Sequence, residues 1–303
     1  MGWVDHGPGC SRTLAPRKRF NLLLPDVPSL SEALRPFSAV VVTGGSSGIG
    51  KSFIQLMRNV SPDLMICNLS RRLPAKNSSG NPELKLNHFP CDLTHPAELE
   101  RAAAEVIAFL GRSVPSGRIL LINNSGFGAF GRFADLDPAR QLAMIDLNVR
   151  AVVHLTGLFL PTLRARGGAI MNIASTVAYQ PTAFAATYGA SKAFVLHWTL
   201  ALNEELRGSN VRALAVCPGT TTTDFFRTAG LGDDAVIPSL SMTTDAVVES
   251  ALRALAAGKA QIVPGWKNKL YTFVGSRLPK PLVTRIAAKV MARFRLGRRK
   301  ERT

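Results

Sequence analysis

The sequence predicts an α/β fold: one doubly wound parallel sheet in a single domain, with a basic helical extension at the C-terminus. Three observations carry this. Short apolar runs alternate with stretches of helical periodicity from Ala39 onward, the pattern of βαβ units. A glycine-rich segment lies between the first apolar run and the first helical stretch. The chain has 303 residues, 46% of them apolar, enough for a sizeable core and too apolar for wholesale disorder.

Residues 1–37 are Pro-rich and irregular, with a basic knot at Arg17-Lys18-Arg19. They lack the apolar core of a secretory signal, and Asp5, Asp26 and Glu32 are wrong for an organelle-targeting peptide. A plain extension is expected. Ala39-Val40-Val41-Val42 reads as a buried parallel strand, followed by a helix over about 49–59. Residues 64–69 form a second strand, and residues 74–82, rich in Pro, Asn, Ser and Gly, form a loop. Further strands are expected at 119–122, 169–174 and 211–216. Helices are expected at about 98–110, 138–163, 187–207 and 244–257. The folded domain therefore spans 38–263. There is no internal repeat, and no apolar stretch reads as reaching the roughly 18 to 20 residues that span a bilayer.

The charge is unevenly placed. The whole chain carries +17, residues 1–37 carry +2 and residues 264–303 carry +11, which leaves +4 for the body. Nucleic acid as a partner is disfavoured, because the tail lacks interleaved aromatics and a recognised motif. In the tail, Leu282, Val283, Ile286, Ala287, Val290, Met291 and Phe294 recur at helical spacing beside Arg285, Lys289 and Arg293. A basic amphipathic helix of this kind suits an anionic membrane surface, or packs on the domain or on a partner subunit. The expected location is cytoplasmic, with membrane association through 264–303 as the added feature. Cys10, Cys67, Cys91 and Cys217 lie far apart without a CxxC pair. This argues against a disulfide scaffold and a Cys-based zinc site, and no metal ligands are assigned.

Thr43-Gly44-Gly45-Ser46-Ser47-Gly48-Ile49-Gly50 follows the first strand and opens the first helix. Glycines such as Gly44 and Gly50 let the backbone approach a pyrophosphate, whose charge meets free N–H groups at the helix start. At the end of the second strand an NAD site would carry a carboxylate. Here Ser70-Arg71-Arg72 carries two guanidiniums. Their planar forks suit a 2′-phosphate and favour NADP(H) over NAD(H). Asp92-Leu93 follows the segment His88-Phe89-Pro90-Cys91, and Asn123-Asn124-Ser125-Gly126 follows a later strand. Asp92 suits either an adenine amino group or a helix cap. The Asn pair suits either cofactor contact or loop tethering.

Tyr188 and Lys192 are four residues apart in a helical stretch, on one face. An ammonium beside a phenol lowers the phenol pKa, and such a tyrosine exchanges protons with an alcohol or carbonyl. Ser175 closes a strand at the ligand-facing end, where it can bond a substrate oxygen or cap a helix. Asn148 sits inside a helical pattern, where Asn is unhelpful; this suggests a kink, a bound water or simple tolerance.

Together these motifs resemble the classical short-chain dehydrogenase/reductase family. The motifs are Thr-Gly-x-x-x-Gly-Ile-Gly at 43–50, Asn-Asn-Ser-Gly at 123–126, Asn148, Ser175, Tyr-x-x-x-Lys at 188–192 and Pro218-Gly219, in that order over residues 38–265. Ser125 departs from the Ala more usual there. The resemblance implies a Rossmann-type fold and assigns roles. Tyr188 is the general acid/base, Lys192 lowers its pKa and holds the nicotinamide ribose, Ser175 orients the substrate carbonyl, and Asn148 holds a relay water. Tyr188 and Lys192 therefore also face the cofactor. Ser46, Ser47 and Ile49 meet phosphates and ribose, and Arg71 meets the 2′-phosphate. Asp92 and Leu93 meet the adenine, Asn124 the adenosine ribose side, and Thr221 and Thr223 the carboxamide and pyrophosphate. A substrate loop over about 222–241, with Phe225, Phe226, Leu231, Ile237 and Leu240, implies a hydrophobic small-molecule substrate, although ordinary packing explains those side chains equally well. The family also implies a homo-oligomer. The expected function is NADP(H)-dependent interconversion of a carbonyl and an alcohol. The competing reading is a non-catalytic dinucleotide-binding sensor or scaffold tethered by its tail.

Overall fold

The computed structural model describes residues 1–2, 28–73, 86–223, 225, 229 and 241–292. The basic knot at 17–19, the loop at 74–82, Phe226, Leu231, Ile237, Leu240 and the chain beyond residue 292 lie outside the described residues. The sheet has seven parallel strands: β1 (Phe37–Thr43), β2 (Met65–Ser70), β3 (Leu86–Pro90), β4 (Arg118–Asn123), β5 (Gly168–Ile173), β6 (Val211–Val216) and β7 (Gln261–Ile262). Their order is β3-β2-β1-β4-β5-β6-β7. From β1 the chain winds outward to β3, then returns to β4 and winds the other way. This reversal opens a crevice at the carboxyl ends of β1 and β4, where ligands bind in such sheets.

Alternation along the strands builds two cores. Val40, Val42, Ile66, Leu120, Ile122 and Met171 face α2 (Gly48–Val60) and α7 (Thr244–Ala256). Ala39, Val41, Cys67, Leu69, Leu121 and Ile170 face α3 (Pro96–Ser113) and α5 (Ala151–Arg166). Strands buried on both faces read as continuous apolar runs, which is why the sequence shows no alternation there. Helix α6 (Ala186–Glu205) closes the second layer beside β6, through Val195 and Leu196.

Several expectations are corrected. Within residues 1–37, Leu30–Leu34 forms a short helix α1, closed by a capping box between Ser29 and Glu32. Its Ala33 and Leu34 are buried in the first core, so the described stretch directly before β1 is folded rather than irregular. Strand β7 is additional, with two residues, too few for a periodicity signal; the short segment before Asp92 is strand β3. The helix expected over 138–163 is α4 (Pro138–Ile145), a π-helical turn (Asp146–Arg150) and α5, in one continuous run. By length and composition this run would cross a membrane, contrary to the sequence reading. Leu155, Phe159 and Leu163 instead bury its face against the sheet, as in a core helix. The tail forms two helices, α8 (Trp266–Arg277) and α9 (Lys280–Ala292), with Leu278-Pro279 between them. Proline lacks the backbone donor and disfavours an uninterrupted helix through that point.

Candidate active site

The glycine loop between β1 and α2 is shaped by close approach. A Cβ on Gly50 would lie 2.4 Å from the Gly44 carbonyl oxygen, and one on Gly45 would lie 2.5 Å from Asn68 Oδ1. Gly44 also holds φ +70°, a left-handed conformation that glycine tolerates. Buried Asn68 on β2 accepts from the Gly45 N–H at 2.8 Å and donates to Ser70 Oγ at 2.8 Å. Leaving that N–H unmet would cost about 1–3 kcal/mol. The sequence reading passed over Asn68; the signal was a polar residue inside an apolar strand. Ser47 stands at the N-cap of α2 without a capping side-chain bond, and the first turn carries no acidic residue. The start of α2 therefore presents donors and positive dipole to an anion.

Asn124 ties the loops together. Its Nδ2 donates to the Thr43 carbonyl at 2.9 Å, while Thr43 Oγ1 accepts from the Asn124 and Ser125 N–H groups, each at 2.9 Å. The amide thus tethers the loops, and Asn124 also lines the cavity. Arg71 follows β2 with its side chain 74% exposed and its Nη1 3.7 Å from Asp92 Oδ2. Asp92 Oδ1 accepts from the Thr94 N–H at 2.9 Å and its hydroxyl at 2.7 Å. Desolvation pushes the Asp92 carboxyl up, but the two Thr94 bonds, with Arg71 and His95, hold it below the usual range. Leu93 is buried in the second core. Thr221 and Thr223 follow β6; Thr223 Cγ2 lies near Gly48, at the start of α2. The residues present fit a dinucleotide: a glycine cradle that any Cβ would fill, an uncapped helix start and two guanidiniums at the end of β2.

The four candidate reacting residues lie close together near the carboxyl ends of β4 and β5. Tyr188 and Lys192 are buried one turn apart on α6. Ser175 hydrogen-bonds the Tyr188 phenol. Ser175 also caps the following 3-10 turn, accepting from the Val177 N–H at 3.3 Å. Lys192 Nζ donates to the Ile173 carbonyl at 2.7 Å. Asn148 occupies the π-helical turn, the local distortion its residue type suggested. Its Oδ1 accepts from the Phe127 N–H at 3.1 Å, and its Nδ2 donates to Phe127 O and Ser191 Oγ. Its side chain thus holds the loop after β4.

The electrostatics differ from the sequence expectation. Burial pushes the Tyr188 phenol up to about 12, opposed by the Ser175 bond. Burial pushes the Lys192 ammonium down to about 8. The ammonium points to the Ile173 carbonyl, so in the protein alone it does not lower the phenol pKa. Lys192 is charged in both states below pH 8, where its full burial cost is present. Between pH 8 and its ordinary 10.5, the folded state sheds the proton first, so stability rises with pH. Tyr188 acts oppositely, stabilising the fold below pH 10 and losing that effect towards pH 12. The buried thiols of Cys67, Cys91 and Cys217, pushed up by desolvation, act in the opposite sense to Lys192 above pH 9. The test is therefore the difference between proteins: between pH 7 and 9.5 we expect the thermal midpoint of wild type to rise more, or fall less, than that of Lys192→Met. The same variant should raise the midpoint at pH 7 by about 2–5 °C. An equal change in both proteins would contradict the assignment.

With this geometry in place, the comparisons are decisive. The short chain dehydrogenase family model matches residues 38–233. The chain belongs to that family. Ketoacyl reductase HetN of Nostoc sp. is 27% identical over 262 residues, covering 78% of this chain and 88% of HetN. Sulfoacetaldehyde reductase 2 of Chromohalobacter salexigens is 30% identical over 217 residues, 68% of this chain and 81% of the relative. A short chain dehydrogenase from Burkholderia cenocepacia, solved with NADP, superposes with TM-score 0.67 at 23% identity. It covers 82% of this chain and 97% of its own.

In this dehydrogenase the glycine loop, Ser175, Tyr188 and Lys192 line one cavity of about 1370 Å³, and Asn148 lies buried behind it. Such a volume exceeds the usual 300–1,000 Å³ of a small-molecule site. Phe127, Phe130, Val177 and Phe225 pack around Tyr188. The Phe130 and Phe225 ring centroids lie 5.7 and 5.5 Å from that of Tyr188. The far wall comes from α8 and α9, through Leu270, Tyr271, Val274, Ile286, Val290 and Met291. The sequence showed the amphipathic pattern of this segment but not where its apolar face goes. Asn268, buried at the start of α8, packs within 2.6 Å of where a Cβ on Gly219 would sit, and so joins α8 to the loop after β6.

Proposed function

We propose that this dehydrogenase interconverts a carbonyl and an alcohol on a hydrophobic small molecule, with NADP(H) as its redox partner. The observation that carries the reading is the convergence of Tyr188, Ser175 and Lys192 on one cavity whose wall there is formed by Phe127, Phe130, Val177 and Phe225, with Asn148 buried behind Phe127. The bound dinucleotide supplies or accepts the hydride. In the reducing direction, Ser175 donates a hydrogen bond to the carbonyl oxygen and Tyr188 donates its proton there. A phenol held neutral by burial is the right form to act as an acid. Lys192, held by the Ile173 carbonyl one turn from Tyr188, places its amine beside the cavity, where it can hold the nicotinamide ribose. Asn148 holds Phe127 and the neighbouring loop in place beside it. Arg71 and Arg72 favour the 2′-phosphate over a bare ribose.

A panel of aldehydes and ketones of increasing chain length, with NADPH, tests this reading. NADPH oxidation that favours apolar carbonyls supports it. Cofactor binding without turnover on any of them would favour the sensor or scaffold reading. A homo-oligomer is part of the proposal: Leu142, Ile145, Val153 and Phe194 leave an exposed apolar face on α4, α5 and α6. The mass in solution checks it, and a monomer at all concentrations would refute it.

A further inference from the structure

The outer faces of α8 and α9 combine two features. Eight of the fifteen large apolar side chains exposed among the described residues lie on these two helices, Trp266 at 71% and Phe273 at 56% among them. Residues 264–292 carry six basic side chains and no acidic one. Trp266 and Tyr271 are amphipathic aromatics of the kind that sit at a lipid–water boundary. Leu270, Val274, Ile286 and Val290 are exposed and also line the cavity that holds Tyr188. Exposed apolar side chains of α8 and α9 therefore edge the cavity, and its mouth lies beside them.

We propose that this face rests on an anionic lipid bilayer, and that the mouth admits a long-chain carbonyl or alcohol directly from it. The proposal rests on the carbonyl–alcohol reading above and names its substrate class. Cationic side chains around exposed apolar ones match an anionic headgroup layer over hydrocarbon, and both attractions act together. Polyanionic nucleic acid would satisfy the charges but not the apolar rim. A second copy would bring its own Lys269, Arg285 and Lys289 against this face, so like charges would oppose pairing. The exposed apolar face on α4, α5 and α6 is separate and leaves this one open.

The test uses the full chain. Sedimentation is measured with vesicles of phosphatidylcholine alone and of phosphatidylcholine mixed with phosphatidylglycerol. The variant is Lys269→Glu/Arg285→Glu/Lys289→Glu, none of which lines the cavity. Wild type should partition onto the mixed vesicles, and the variant should lose about tenfold or more of that partitioning. Turnover of a long-chain ketone dissolved in the vesicles should fall in parallel, while turnover of a short, water-soluble carbonyl stays unchanged. Should the variant fail to fold, raised salt on wild type makes the same separation, because screening weakens surface attraction. Equal sedimentation with neutral and mixed vesicles would overturn the proposal. So would a dimer in solution that the variant splits, which would make this face an interface between copies. Loss of turnover on every carbonyl would instead strike the oxidoreductase reading.

Discussion

Tyr188→Phe lowers turnover by about 10³-fold and leaves NADPH binding within a factor of about two. Only the phenolic oxygen is removed. The ring keeps its packing against Phe130 and Phe225, so no cavity opens and the fold is retained. Positioned general acids contribute on the order of 10²–10⁴ to rate, and the phenol is the group that meets Ser175. The loss should appear in kcat rather than KM, because proton transfer matters in the transition state and adds little to ground-state binding. Isothermal titration with NADPH and steady-state kinetics on the best substrate separate the two. A variant that keeps a tenth or more of wild-type kcat would remove Tyr188 from the chemistry and leave Ser175 or a bound water as the proton source.

Arg71→Ala shifts the preference for NADPH over NADH by about tenfold to a hundredfold, mainly through the KM for NADPH. A charge-assisted hydrogen bond contributes about 1.5–3 kcal/mol, which is about tenfold or more in affinity. The shift has a second source. Asp92 Oδ2 faces the guanidinium at 3.7 Å, and the Thr94 bonds keep that carboxyl ionised. Without Arg71, a 2′-phosphate would face an unscreened carboxylate, whereas a ribose hydroxyl could donate to it. NADH kinetics should therefore hold steady or improve as NADPH kinetics worsen. An unchanged ratio would mean that Arg71 is a solvated surface charge and that cofactor choice lies elsewhere.

Much of the sheet was legible because parallel strands buried on both faces are short, purely apolar runs. Val211–Val216 was placed to the residue, and the first glycine loop was placed by its position between a strand and a helix. Two-residue β7 and helix α1 were not legible. Neither carries a full period of any pattern, and α1 is held by a capping box and by burial of Leu34 that only the folded core provides. The π-helical turn at Asn148 was foreshadowed by its residue type. The partner that justifies it, Phe127, lies 21 residues away.

By itself the sequence determined the family, the strand–helix alternation, the candidate reacting side chains and the location of excess charge in the last forty residues. These follow from local residue type and spacing, which need no knowledge of distant contacts. Only the tertiary structure decided what surrounds those side chains. Burial keeps the Tyr188 phenol neutral and turns Lys192 toward the Ile173 carbonyl, reversing the pKa effect expected from their spacing. Folding also brings α8 and α9 back across the sheet, so that a tail that read as an appendage becomes a wall of the cavity. Desolvation and long-range packing are properties of the assembled chain, and no local stretch of sequence records them.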